Sequence, residues 1–179
     1  MKVLKTILLA IVAIIAILLI VALFLKKEYV VEKEIVINKS QQEIFTYVLL
    51  LKNQEHYSKW AMMDPNAKKE YRGTDGTVGF VSAWDSEDKN VGKGEQEITK
   101  ITDNSRIDYE IRFIKPFEGV STAYMAIDSV AFNQTKVKWG FTGKMKYPLN
   151  LLILCMNVEK MVGDDLSTGL NNLKAVLEK

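Results

Sequence analysis

Cysteine occurs once in this chain, at position 155, and histidine once, at position 56. A single thiol closes no internal disulfide, and one thiol with one distant imidazole cannot supply the ligand set of a zinc site. A disulfide scaffold and a cysteine or histidine metal centre are excluded, and Cys155 is expected to be a buried thiol. Proline is scarce at three residues, and no repeat or low-complexity tract interrupts the chain. Serine, histidine and aspartate are all present, but no G-x-S-x-G elbow surrounds any serine, so triad hydrolysis has no support. Charge of one sign is missing as well. The formal net charge is +2, yet four of the 24 basic residues flank one apolar run and all 22 acidic residues lie beyond it. The remainder carries 20 basic against 22 acidic residues, a formal −2. It lacks the basic footprint that neutralises phosphates, so no nucleic-acid partner is expected.

The apolar run is the strongest signal present. Ile7 to Leu25 read ILLAIVAIIAILLIVALFL, without a charge, Gly or Pro, between Lys2 and Lys5 on one side and Lys26 and Lys27 on the other. A helix of that length covers about 28 Å, close to the roughly 30 Å hydrocarbon core of a bilayer. Signal-peptide apolar regions span about 7 to 15 residues and end at a small-residue cleavage site. This run is longer and ends Ala22-Leu23-Phe24-Leu25-Lys26-Lys27, with no Ala-x-Ala step. An uncleaved anchor over residues 1–27, spanning with residues 7–25, is the expectation, and a removed signal is its rival. Lysines on both sides leave the side of the following domain open, with a slight bias toward an inside N-terminus.

Residues 28–179 suffice for one domain with a real core. Tyr29 to Asn38 alternates, with Tyr29, Val31, Ile35 and Ile37 on one face and Glu32 and Glu34 on the other, which predicts a strand. Ser40-Gln41-Gln42-Glu43 matches a capping box, and Ile44, Phe45, Val48, Leu49 and Leu51 give the following helix its apolar side to about Lys52-Asn53. A second short helix is predicted over Glu55 to Trp60. Six strands follow: Lys68–Arg72, Gly79–Asp85, Val91–Thr102, Arg106–Ile114, Val120–Val130 and Thr135–Gly143. Ile107, Tyr109, Ile111 and Phe113 alternate with Asp108, Glu110 and Arg112, so one face is dry and the other wet. Pro148 suits a first helical turn, and Leu149 to Met156 reads as a helix end sunk between sheet and loops. Val162, Leu166, Leu170, Leu173 and Leu177 form one helical stripe, within which Gly163 and Gly169 suggest a kink or close approach to the sheet.

This order of elements resembles the helix-grip fold of the START-like, or SRPBCC, superfamily. Ile35-Val36-Ile37-Asn38 with its capped helix, and the stretch from Lys52-Asn53 through Tyr57 and Trp60, are similar to the family's opening. Trp84, Val91-Gly92-Lys93-Gly94 and Ile98 resemble the hairpin of the polyketide cyclase/dehydrase-type branch. Pro116-Phe117-Glu118, Thr122-Ala123-Tyr124, Thr135 to Gly140 and Gly169 to Lys174 resemble the later strands and closing helix. The resemblance covers about Tyr29 to Glu178. It implies an α+β fold, a curved antiparallel sheet of about seven strands around a long C-terminal helix, with an apolar cavity between them. Members bind lipids, sterols, polyketides or other hydrophobic ligands, and some are enzymes. No cofactor is implied.

Among candidate sites, His56 lies with Glu55, Tyr57, Ser58 and Lys59, a solvated helix edge rather than a catalytic setting. Asp85, Glu87 and Asp88 lack the spacing of a calcium loop, and Gly92-Lys93-Gly94 runs into a strand where a phosphate loop would open a helix, so its glycines point to a bulge or sheet curvature. The aromatic set carries more. Trp84, Tyr109, Phe113, Tyr124, Trp139 and Phe141 lie on strands and are expected on the concave face, with Gln96 as an inward polar group that needs a partner. They line a pocket if the helix stands off and are core if it packs down. The expectation is a membrane-anchored domain, residues 28–179, binding a hydrophobic or lipid-like molecule, with no catalytic residue assigned. Its alternatives are an enzyme acting on a hydrophobic substrate and a packed, membrane-tethered interaction module.

Overall fold

The strand periodicities and the cap are realised in a computed structural model that describes residues 2–155 and 157–179. The side chains of Lys2, Leu154 and Cys155 and all of Met1 and Met156 lie outside that description, and with them the expected Cys155 burial. The elements run α1 (Lys2–Phe24), β1 (Glu28–Ile37), α2 (Gln41–Leu49), a 3-10 turn (Leu51–His56), α3 (Lys59–Met63), β2 (Lys68–Arg72), β3 (Val81–Asp85), β4 (Lys93–Thr102), β5 (Arg106–Lys115), β6 (Gly119–Ala131), β7 (Gln134–Lys144), α4 (Leu151–Cys155) and α5 (Val158–Leu177). α1 is long and apolar enough to cross a membrane by length and composition. It stands away from the rest of the chain, and from Val3 to Phe24 only Ala22 is buried.

The seven strands form one antiparallel sheet in the order β1-β7-β6-β5-β4-β3-β2. Antiparallel register puts the start of β1 and the end of β7, next to α1, at the same end of the sheet as the turns at 86–92 and 116–118. The turns at 103–105 and 132–133 lie at the other end, where Gln41 of α2 donates to the carbonyls of Asn104 and Ile127. The Ser40 cap is a full capping box, with Glu43 answering it. Two helical boundaries differ from expectation. α2 stops at Leu49, and the region to Trp60 splits into the 3-10 turn and α3, because the Asp75 carboxylate accepts from the amides of Leu51 and Lys52 and starts a new turn there. Tyr57 then sits between the two pieces with its ring wholly buried.

The outer face of the sheet is a charge ladder. Arg112 reaches three carboxylates, Glu95 at 2.7 Å, Glu97 at 2.7 Å and Glu110 at 2.5 Å, and Arg72 joins Glu95 from the far side. Arg72 and then Arg112 hold the Glu95 carboxyl below the usual carboxylate range. This contribution to stability is complete above the unfolded-state value of about 4.3 and is lost as pH falls through the lower folded value. Arg112→Leu should therefore cost about 1 kcal/mol at neutral pH and progressively less in acid, measured by urea unfolding of both proteins across that range.

α5 crosses the concave face as one continuous helix, so its glycines mark close approach and not a kink. A Cβ at Gly169 would lie 2.7 Å from Trp139 Cζ3, and one at Gly163 would lie 2.9 Å from Lys33 Cε. Leu166, Leu170 and Leu173 are buried against the sheet in the expected stripe. Pro148 does not open a helix. It lies in the turn before α4, and α4 is not sunk beneath the loops, since Leu149 and Leu152 are exposed and the helix rests against the last turn of α1.

Candidate functional site

Register assembles the inward side chains row by row. β5 carries Tyr109, Ile111 and Phe113 in a column about 13 Å long, four residues at about 3.3 Å each. Tyr109 is buried, while Ile111 and Phe113 are half-buried, so the column opens toward the end where α1 joins. Opposite Phe113 stands Gly94, which in turn pairs with Trp84. Without a side chain at Gly94, the Trp84 ring lies across β4 and meets Phe113 edge-on at 6.4 Å between centroids. Gln96 pairs with Ser82 and Ile111, and Ile111 with Ser121, a polar-apolar row just inside the mouth. The Gln96 side chain makes no hydrogen bond to protein among the described residues. Phe141 is half-buried against Tyr29, 6.2 Å between ring centres.

Deeper in, the face is closed. Trp139 meets Tyr57 at 5.7 Å and Trp60 at 6.1 Å, both edge-on, and packs on Gly169. Trp139 is thus core, one of the two outcomes open from sequence. At the same depth lie polar groups with unfilled bonding capacity. The hydroxyl of Tyr109 and the Nε2 of Gln54 are buried without a partner among the described residues. The Tyr57 hydroxyl lies 3.6 Å from Met125 Sδ and within loose hydrogen-bonding reach of the Gln54 side chain. Tyr109 acts on Tyr57 through its charge and Gln54 through a loosely formed side-chain hydrogen bond, so the three groups are neighbours. Burial pushes both phenols up, keeping them neutral donors at physiological pH. A buried polar group without a partner costs about 1–3 kcal/mol, so this trio is either a strain or a place for a ligand's polar group.

Tyr124 is a correction. The inward phase of β6 is Ser121, Ala123, Met125 and Ile127, and Tyr124 lies on the outer face. There its ring fills the space above Gly140, its hydroxyl donates to Glu32, and the Arg106 guanidinium stacks 3.8 Å from its centroid. Burial and the Glu32 carboxylate raise its pKa to about 12. His56 is exposed, within 3.2 Å of the Tyr47 hydroxyl, beside an open groove of about 420 Å³ on the outer side of α2. Asp85 pairs with Lys93 at 2.6 Å, and Asp88 accepts from Asn90 within its own turn. Among the described residues no group of three or more His, Cys, Asp or Glu could hold a metal ion. The Gly92-Lys93-Gly94 stretch carries the expected irregularity, a register shift between Lys93 and Gly94. Gln54 and Tyr57 were not singled out from sequence; the signal was a glutamine and a tyrosine three apart in a polar stretch, which reads as surface.

No curated protein matches the chain by sequence at a significant level. Among solved structures, norcoclaurine synthase from Thalictrum flavum superposes with a TM-score of 0.63 at 12% identity, covering 85% of this chain and 87% of that one. Ara h 8.0201 gives 0.60 at 16% identity, over 85% and 99%. A protein from Nitrosospira multiformis gives 0.58 at 15%, over 82% and 94%. Likeness at these identities establishes the fold, the Bet v 1-like helix grip, and carries no substrate with it. A family model for polyketide cyclase/dehydrase and lipid transport proteins matches residues 29–178, and the chain belongs to that family.

Proposed function

We propose that residues 28–179 bind a hydrophobic or amphipathic small molecule, lipid-like in character, and that residues 1–27 hold this domain at a membrane. The observation that carries the reading is the pairing of two features on one face. A half-buried aromatic mouth of Trp84 and Phe113 lies on the same inward face as buried donors, Tyr109 and Gln54, that lack a well-formed hydrogen bond among the described residues. An apolar body buried in the mouth and a polar group reaching those donors would satisfy both. The mouth opens at the α1 end of the sheet, so a bilayer is the nearest source of such a molecule. Catalysis has less support, because the inward groups at depth are phenols kept protonated by burial and an amide, none of which accepts a proton at neutral pH.

The test is native mass spectrometry of residues 28–179 purified without detergent, followed by extraction of what co-purifies. A discrete stoichiometric adduct is expected. Tyr109→Phe separates this from a merely packed core. Deleting an unpaired buried hydroxyl should leave the empty domain as stable or slightly more so, while adduct affinity falls about tenfold, the equivalent of roughly 1.4 kcal/mol for one lost hydrogen bond. An empty domain that takes up nothing from a broad lipid panel would falsify the reading.

A further inference from the structure

α1 ends where the domain begins, and one buried side chain joins them. Asn150, wholly buried, donates from Nδ2 to the carbonyls of Ala22 at 2.7 Å and Leu25 at 3.4 Å. These are among the carbonyls that a helix C-terminus leaves without intrahelical partners. Met145 N donates to the Lys27 carbonyl at 2.8 Å, next to the β1–β7 pairing that starts at Glu28 and Lys144. The last turn of α1 is therefore fixed to the segment that leads into α4, and α4's height is set by α1.

Around that junction the surface is apolar. Phe24, Tyr147, Leu149 and Leu152 are exposed, and the β5–β6 turn, at the same end of the sheet, leaves Phe117 65% exposed. Lys26, Lys27, Lys115 and Lys146 surround these side chains, exposed and without an ion pair among the described residues. The acidic groups at this end are Glu28, which Lys144 neutralises at 3.0 Å, Asp85, which pairs with Lys93 at 2.6 Å and lies in the field of Lys115, and the exposed Glu87, Asp88 and Glu118. Aromatic and aliphatic side chains at headgroup depth, with lysines reaching anionic lipids, make up the usual interfacial pattern. A helix crossing the bilayer puts its lysine-flanked end at that depth, and the Asn150 clamp puts α4 beside it.

We infer that Tyr147, Leu149, Leu152 and Phe117 form a membrane-surface contact, seated in the headgroup layer of the bilayer that α1 crosses, which holds the concave mouth toward that layer. This rests on α1 being a retained anchor. The test places environment-sensitive labels one at a time in the full chain, in a Cys155→Ser background, through Leu149→Cys, Phe117→Cys, Phe132→Cys and Ile15→Cys. The chain is reconstituted in vesicles of phosphatidylcholine and phosphatidylglycerol that carry nitroxide quenchers at headgroup or deep acyl positions. Labels at 149 and 117 should be quenched several-fold more than the label at 132 by the headgroup nitroxide, and the label at 15 by the deep one. Phe132 is the control because it is 94% exposed on a turn at the opposite end of the sheet. Quenching at 15 with either rim label as unquenched as 132 overturns the contact alone. Loss of quenching at 15 overturns the anchor and the contact together. Hydroxyl-radical footprinting of the unmodified chain in nanodiscs of the same lipids gives an independent reading. Phe117 and Tyr147 should be oxidised several-fold less than Phe132 in the same sample once intrinsic reactivities are corrected for, and equal corrected oxidation would overturn the contact.

Discussion

Trp139→Ala should lower the unfolding free energy of the full chain by about 3–5 kcal/mol, the range for emptying a large buried aromatic site. Three different elements converge on this ring: Tyr57 between the 3-10 turn and α3, Trp60 on α3 and Gly169 on α5. Little relaxation is available to fill the space. β7 fixes the ring from behind, and α5 can approach no further, because Gly169 already touches it. Asn172 of α5 also donates to the Tyr57 carbonyl at 3.2 Å and ties the same layer together. Urea unfolding in detergent micelles measures the loss. Trp84→Ala, at the half-exposed mouth, should cost well under half as much, since less area leaves water there and its ring has one aromatic partner. If the two losses were equal, the division between a closed depth and an open mouth would be wrong.

That division is also where sequence and structure part. Strand positions and the wet outer face were legible because a period of two leaves no freedom: once Ile107, Tyr109, Ile111 and Phe113 face inward, Asp108, Glu110 and Arg112 must face out. The Ser40 cap was legible because its partners are three residues apart. The Tyr124 side was misjudged on residue type. Its strand neighbours Ala123 and Met125 hold the inward phase, and Gly140 on β7 makes room for a large ring outside. The burial of Tyr57 was not visible, because what covers it is distant in sequence: Met125 on β6 and Trp139 on β7 against its ring, and Asn172 of α5 on its carbonyl. The same holds for Asn150, whose bond to Ala22 spans 128 positions. Local pattern encodes faces; it does not encode which distant element covers them.

Gly92→Ala should cost about 3 kcal/mol or more, although it adds one methyl group at the surface end of the sheet. Gly92 has φ +63°, the left-handed region, which costs an L residue about 1–2 kcal/mol. Its would-be Cβ lies 2.1 Å from the Lys115 carbonyl oxygen and 2.9 Å from the carbonyl carbon. Both are backbone atoms, so the overlap cannot be relieved by rotating a side chain. Either the 86–92 turn or the 116–118 turn must move, and these two turns frame the mouth beside Trp84 and Phe113. Gly79→Ala isolates the two contributions. Gly79 has φ +87° with nothing within 4 Å of an added Cβ, so it should show the conformational cost alone, about 1–2 kcal/mol. Urea unfolding of both variants tests the difference, and equal losses would mean that the two turns are not in contact. Because the clash lies at the mouth and not in the Trp139 layer, Gly92→Ala should also weaken ligand uptake at temperatures where the chain remains folded. A mouth whose geometry is set by two touching backbones loses its shape before the core beneath it unfolds.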